Sequence, residues 1–200
     1  MKLYSYIVST DAGFSPNPFW GCCTLADCKP VIRRTAKVGD WIVGLSPIAD
    51  GNRVVYAMKV DEIFGYASYF RDKRFASKIP DYTKGTAIYK CGDNIYKPLP
   101  DGGFQQLQSR HSCHQQENPE IKAHDLGGVN VLIGKLFYYF GASGPVLPMQ
   151  LNELKVRRGH KNQFSQETIS GFLKFISQYP QGVNAPPTRW PAGDSSWQQK

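Results

Sequence analysis

Three strand-like stretches, each bounded by a turn, constrain the fold of this chain most. Residues 2–9 are rich in aromatic and β-branched side chains and alternate polar with apolar, which predicts a first strand ending before the loop Asp11-Ala12-Gly13. Val38-Gly39-Asp40 turns into the apolar run 41–45, and Asp50-Gly51-Asn52 turns into the run 53–60, so a hairpin-like pair is expected there. A second hairpin is expected from residues 86–90 and 94–96 around Cys91-Gly92-Asp93, and one or two strands from residues 129–140. Three helices are expected: a short one starting near Pro30, an amphipathic one within residues 66–75, and a last one over residues 166–179. In the last, Ile169, Phe172, Leu173 and Ile176 fall at helical spacing and predict packing on a sheet.

The polar stretch 101–120 reads as a long binding loop. With 200 residues the chain is long enough for one well-buried core and short for two, so residues 1–179 are expected to form one domain. Residues 180–200 then form a proline-rich tail, either disordered or docked through Trp190 and Trp197.

The 24 Lys and Arg outnumber the 16 Asp and Glu, a formal net charge of +8. Such an excess favours an anionic partner, nucleic acid first, and the cations cluster in residues 28–38, 71–90 and 155–161. No run approaches the ~20 apolar residues that span a bilayer, so no membrane association is expected. Residues 1–10 lack a continuous apolar signal core, and the five cysteines show no disulfide framework; a reducing cytoplasm is the expected compartment.

Residues 17–34 crowd Phe19, Trp20, three thiols and the cations Lys29, Arg33 and Arg34 between two strand-like stretches, and this segment reads as a site. Aromatic planes suit a nucleobase and cations suit phosphate. The expected base-binding set is Asp11, Asn17, Phe19, Trp20, Thr24 and Trp41, with Lys29, Arg33, Arg34 and Lys37 as the phosphate-binding rim. Zinc is not expected, because neither Cys22/Cys23 nor Cys113/His114 has the spacing of a ligand pair, and no cofactor fingerprint occurs. If the chain is an enzyme, the catalytic candidates are Cys23 or Cys28 as nucleophile and Asp125 or His124 as acid/base, although no motif pairs a thiol with an imidazole.

Several motifs resemble one family. Asn17-Pro18-Phe19-Trp20-Gly21, Cys23-Thr24-Leu25-Ala26, Cys28-Lys29-Pro30, Ile32-Arg33 and Val38-Gly39-Asp40-Trp41-Ile42-Val43-Gly44 are similar to the nucleotide modification associated domain 2 family. So are Val55-Tyr56-Ala57-Met58-Lys59-Val60-Asp61-Glu62, Arg74-Phe75, Lys78-Ile79-Pro80 and Phe137-Tyr138-Tyr139-Phe140-Gly141, so the likeness spans about residues 2–178. The resemblance implies a role in the biology of modified DNA bases in bacteria and their phages, defence included, with no settled reaction or catalytic residues.

The element order also resembles the PUA-like group of small β-barrels, whose EVE, YTH and ASCH members bind altered bases or RNA. The expected fold is therefore α+β, a strongly bent or barrel-like mixed sheet with peripheral helices. The expected function is a nucleic-acid-binding domain that holds a modified nucleobase, of DNA before RNA or a free nucleotide, in an aromatic pocket. The alternatives are an enzyme that makes or trims a base modification and an interaction module whose tail contacts a partner protein.

Overall fold

In the computed structural model, which describes residues 1–198, both faces of the first strand are covered. Strand β1 (Leu3–Ile7) is followed by β2 (Cys23–Leu25), helix α1 (Pro30–Thr35), β3 (Trp41–Leu45), β4 (Val54–Lys59) and β5 (Glu62–Gly65). Next come α2 (Tyr66–Arg71), α3 (Ala87–Lys90), β6 (Tyr96–Pro98), β7 (Phe104–Gln106) and α4 (Pro119–Leu126). Strands β8 (Asn130–Gly134), β9 (Phe137–Tyr139) and β10 (His160–Lys161), helix α5 (Gln166–Ile176) and strand β11 (Gly182–Val183) complete the order.

The main sheet runs β10-β1-β3-β4-β9-β11, and a second sheet runs β2-β8-β5. β1 and β3 are parallel, with Leu3 opposite Trp41 and Ile7 opposite Leu45. Parallel neighbours need a crossover, and here β2 and α1 supply it, which brings the 17–34 segment over one end of β1. β3 and β4 form the expected antiparallel pair.

Strand periodicity divides the core in two. Tyr4, Tyr6, Ile42, Tyr56 and Met58 face Cys23, Leu25 and Ile32 on one side, whereas Leu3, Trp41, Val43 and Ala57 face Ile169, Phe172 and Ile176 of α5 on the other. A sheet buried on both faces reads as near-continuous apolar runs, which explains the sequence of β3 and β4.

The fold is mixed α+β, but the expected closed barrel is not formed. The main sheet ends at β10 and β11, each two residues long, and among the described residues they do not pair. Edges this short leave no ladder to close.

Two local expectations are also corrected. Residues 87–90 are helical: Ala87 N–H donates to Asp194 Oδ2 at 2.7 Å and Ile88 N–H to Ser196 Oγ at 3.3 Å, so the cap comes from the far end of the chain. The 101–120 stretch contains β7 and the start of α4, where Asn118 accepts the Ile121 N–H at 3.2 Å.

Residues 180–198 lie against the body as a strap. β11 runs parallel to β9, Arg189 N–H donates to the Asp11 carbonyl at 2.8 Å, and the Trp190 and Phe19 rings sit 5.3 Å apart. The last two residues of the expected tail, Gln199 and Lys200, lie outside the described residues. Among the described residues no helix is long and apolar enough to cross a membrane.

Candidate functional site

The backbone between β2 and α1 makes an unusual bend. Cys28 and Lys29 have φ values of 57° and 42°, two consecutive non-glycine residues in the left-handed region, and Pro30 then begins α1. Each such residue is disfavoured by about 1–2 kcal/mol and persists only where its surroundings enforce it. Here Cys28 N–H donates to Asp125 Oδ1 at 2.8 Å, and the Cys28 carbonyl accepts from Arg33 Nε at 2.7 Å.

The bend turns the thiol toward the loop after β7. Cys28 Sγ is 3.6 Å from His111 Nε2, and His111 Nδ1 is 2.6 Å from Asp125 Oδ2, which also accepts from the Tyr96 hydroxyl at 2.9 Å. The Phe14 ring lies edge-on to the imidazole, centroids 4.7 Å apart. His111 N–H donates to Ser109 Oγ at 3.2 Å and helps to set the loop.

Burial opposes charge on His111, but its hydrogen bonds to Asp125 and Cys28 outweigh this and push its pKa up to about 10. Burial would raise Asp125, yet the bonds from His111, the Cys28 amide and Tyr96 hold it below the usual carboxylate range. The pair is therefore imidazolium and carboxylate at neutral pH. Asp27, next to Cys28, is the opposite case: it is fully buried, neither carboxylate oxygen has a hydrogen bond among the described residues, and burial beside Asp125 pushes its pKa well up.

Arg33 holds this arrangement from below. Its guanidinium is fully buried and donates to the Tyr66 hydroxyl at 2.6 Å, the Asn130 carbonyl at 2.8 Å and the Asp125 carbonyl at 2.5 Å. A Cβ on Gly128 would stand 2.2 Å from the guanidinium carbon, so only glycine fits there.

The thiol and imidazole open on a cavity of about 480 Å³ at the end of β1. Tyr6 and Phe14 supply aromatic walls, and Lys29, Arg110, His111 and His124 supply cations or imidazoles, with no carboxylate in the lining. Lys29 Nζ sits 4.9 Å above the Tyr6 ring. A volume of this order suits a nucleotide-sized ligand.

The expected site residues separate into several places. Asn17 and Thr24 are fully buried and already paired: Asn17 Nδ2 donates to the Gly13 and Cys91 carbonyls at 3.0 and 2.9 Å, and Thr24 Oγ1 donates to Asp93 Oδ2 at 2.5 Å. Asp11 is buried under the strap and accepts from the Tyr139 hydroxyl and Thr188. Trp41 stacks on Tyr138 on the α5 side of the sheet, because its register in β3 places it opposite to the Tyr6 face. Phe19 is buried under Trp190, while Trp20 packs at a tilt against Tyr89. Phe19 and Trp20 do border a second cavity of about 580 Å³, with Phe137 and Trp197, and among the described residues no cation lines it.

Of the expected phosphate-binding cations, only Lys29 lines the Cys28 cavity. Arg33 is spent inside, Arg34 donates to the Gly127 carbonyl, and Lys37 is exposed beyond α1. Among the catalytic candidates Cys28 and Asp125 come together, whereas Cys23 is sealed in the core, its thiol pushed well up by burial. His124 sits at the cavity rim with its side chain 60% exposed and Nδ1 3.6 Å from Asp125 Oδ1; the imidazole in line with the thiol is His111. Sequence reading missed the role of His111 because it is 83 residues from Cys28 in a polar loop. It also missed Lys78, whose buried ammonium donates to Asn17 Oδ1 at 2.7 Å and to the carbonyls of Asn17, Phe19 and Cys22, fixing the 17–22 loop.

Cys28, His111 and Asp125 bring three ligand atoms within 4.8 Å of one another, which is metal-site spacing. The imidazole, however, turns Nδ1 to Asp125 and Nε2 to Cys28, and one ion cannot lie at both edges of the ring. The geometry is that of a thiol, an imidazole and its orienting carboxylate.

Fold and site together define an α+β domain with an ordered thiol–imidazole–carboxylate line opening on a basic cavity. The chain belongs to the nucleotide modification associated domain 2 family, whose model matches residues 1–194. Comparison with curated proteins and with solved structures gave no match.

Proposed function

We propose that this nucleotide-modification domain is a thiol enzyme acting on an acyl or amide group carried by a nucleotide. The carrying observation is the line from Cys28 through His111 to Asp125, opening on a cavity with aromatic walls and a cationic rim. Tyr6 and Phe14 give the cavity an apolar floor, and Lys29 and Arg110 offer charge to phosphate. The family's association with nucleotide modification supports the substrate class.

In the first step Cys28 Sγ, as the thiolate paired with the His111 imidazolium, forms a bond to the acyl carbon, and the bond from that carbon to the leaving nitrogen or oxygen breaks. The His111 imidazolium gives its Nε2 proton to the leaving group. His111, now neutral, takes a proton from water or an acceptor amine, which attacks the thioester and releases Cys28 as thiolate. Asp125 keeps Nδ1 protonated throughout, so that Nε2 is the nitrogen that exchanges protons.

Iodoacetamide labelling with mass-spectrometric readout tests this, because the chain contains its own control in the exposed Cys113. Cys28 is expected to alkylate about tenfold faster than Cys113 at neutral pH or more, and to lose that advantage in His111→Ala. Equal rates for the two cysteines would end the proposal. A panel of N-acylated nucleosides then identifies the substrate.

A second reading, a nucleobase held against Trp20, rests on one observation: the Trp20 Nε1 is buried and, among the described residues, without a partner beside the cavity that Trp20 lines. Trp20→Phe keeps the ring and removes the donor. Loss of nucleoside binding in that variant, with Cys28 reactivity unchanged, supports the second reading.

A further inference from the structure

A second cluster of charge lies away from the thiol. The segment after the 3-10 turn at Met149–Leu154 carries Lys155, Arg157, Arg158 and Lys161, and all four line a cavity of about 620 Å³ closed by Ile48, Asn52 and Val156. Among the described residues none of the four is in an ion pair. Like charges held this close repel one another, and the fold nonetheless gathers them around one cleft that, among the described residues, has no carboxylate in its lining.

Asn52 is the independent observation. Its φ of 49° holds it at the β3–β4 turn, it is 7% exposed, and its Oδ1 is buried with no hydrogen-bond partner among the described residues. An orphaned buried carboxamide at the wall of a cleft is a polar group awaiting a ligand, and a carboxamide offers both donor and acceptor.

The cleft also has a neighbour. The β3–β4 turn that supplies Ile48 and Asn52 gives Ser46, Asp50 and Arg53 to another cavity of about 410 Å³, which shares Val8 and Ser9 with the Cys28 cavity and also holds Arg189 from the strap and the carboxylate of Asp11. Three cavities thus follow one another along the end of β1 and β3.

We infer that the cleft between the β3–β4 turn and residues 155–161 binds the phosphate backbone of a nucleic-acid strand whose reacting nucleotide reaches the Cys28 cavity. The direction of the strand rests on the proposed thiol chemistry; the phosphate cleft stands on its own cations and Asn52. The substrate class is accordingly a polynucleotide and not a free nucleotide.

The test compares wild type with a Lys155→Ala/Arg157→Ala/Arg158→Ala/Lys161→Ala variant and with Asn52→Asp, which tolerates the same backbone and adds a negative charge. A fluorescent single strand of about 20 nucleotides, the matching duplex, and inorganic tripolyphosphate are titrated over a salt series. Loss of about tenfold or more in strand affinity, with the slope of log K against log salt reduced by about 0.7 per cation removed, is the expected result. Asn52→Asp is expected to weaken strand binding in the same direction. Strand affinity unchanged in both variants overturns the inference, as does tripolyphosphate binding as tightly as the strand. Cys28 alkylation is followed in parallel: an unreactive Cys28 with cleft-dependent strand binding removes the thiol proposal and leaves the cleft, and a reactive Cys28 with cleft-independent binding does the reverse.

Discussion

The backbone amide of Cys28 donates to the Asp125 carboxylate at 2.8 Å, and the other oxygen of the same carboxylate accepts from His111 at 2.6 Å. One side chain on α4 therefore fixes both the strained bend that aims the thiol and the ring that faces it.

Replacing Asp125 by Asn keeps an acceptor for the Cys28 amide but presents an N–H₂ group toward His111, which forces the ring away from its Nδ1–H tautomer. Cys28 alkylation at neutral pH is expected to slow by about 100-fold, the scale of a lost acid/base partner. NMR titration of His111 should show its pKa falling from about 10 toward the ordinary imidazole range. An unshifted His111 in this variant contradicts the assigned pairing.

The same pair sets a pH window for stability. The folded-state pKa of His111 is raised to about 10 from an ordinary value of 6.5, so its contribution is fully present below about 6.5 and is lost as pH rises toward about 10. Asp125 is depressed in the fold, so its contribution is present above the ordinary carboxylate range and is lost as pH falls through its lowered value. Urea unfolding of wild type against His111→Gln should show a stability difference that shrinks between pH 6.5 and pH 10. A difference that grows over that interval refutes the sign.

Arg33 and Arg110 should separate structure from binding. Arg33→Ala leaves the Tyr66 hydroxyl and buried carbonyls without their donor and is expected to cost about 3–5 kcal/mol in thermal or urea unfolding. Gly128→Ala, which drives a methyl into the guanidinium, should reproduce that loss in part. Arg110→Ala, at the exposed cavity rim, should change stability by less than about 0.5 kcal/mol while weakening nucleotide protection of Cys28 against alkylation.

Trp190 ties the strap to the body by its ring contact with Phe19 and by Nε1 donating to the Asp194 carbonyl at 2.9 Å. Asp194 in turn caps α3, so Trp190→Ala removes packing and loosens a cap together. A loss of about 3 kcal/mol is expected, read as a fall in Tm of about 6–12 °C for a chain of this size. A melting point unchanged by this substitution shows that residues 187–198 are not integral to the fold.

Much of the scaffold was legible because its signals are local. Apolar alternation over residues 3–7, the continuous apolar run 41–45, Pro30 opening α1, and the Ile169/Phe172/Ile176 spacing of α5 each reflect interactions within a strand or a helical turn. The helix at 87–90 was misread because its cap comes from Asp194 and Ser196, 107 and 108 residues away. The side of the sheet that Trp41 faces was not legible, because strand register, which no local pattern reveals, turns it toward α5.

The sequence by itself determined that this chain would build an α+β core from a few apolar strands, carry excess positive charge, and place thiols and cations in one segment after the first strand. Only the tertiary structure decided which thiol faces an imidazole, that Arg33 holds carbonyls and not phosphate, and that Asp11 secures the strap. The reason is physical: element formation depends on neighbours a few residues apart, whereas a hydrogen-bonded line of Cys28, His111 and Asp125 exists only after segments up to 97 residues apart have been brought within bonding distance.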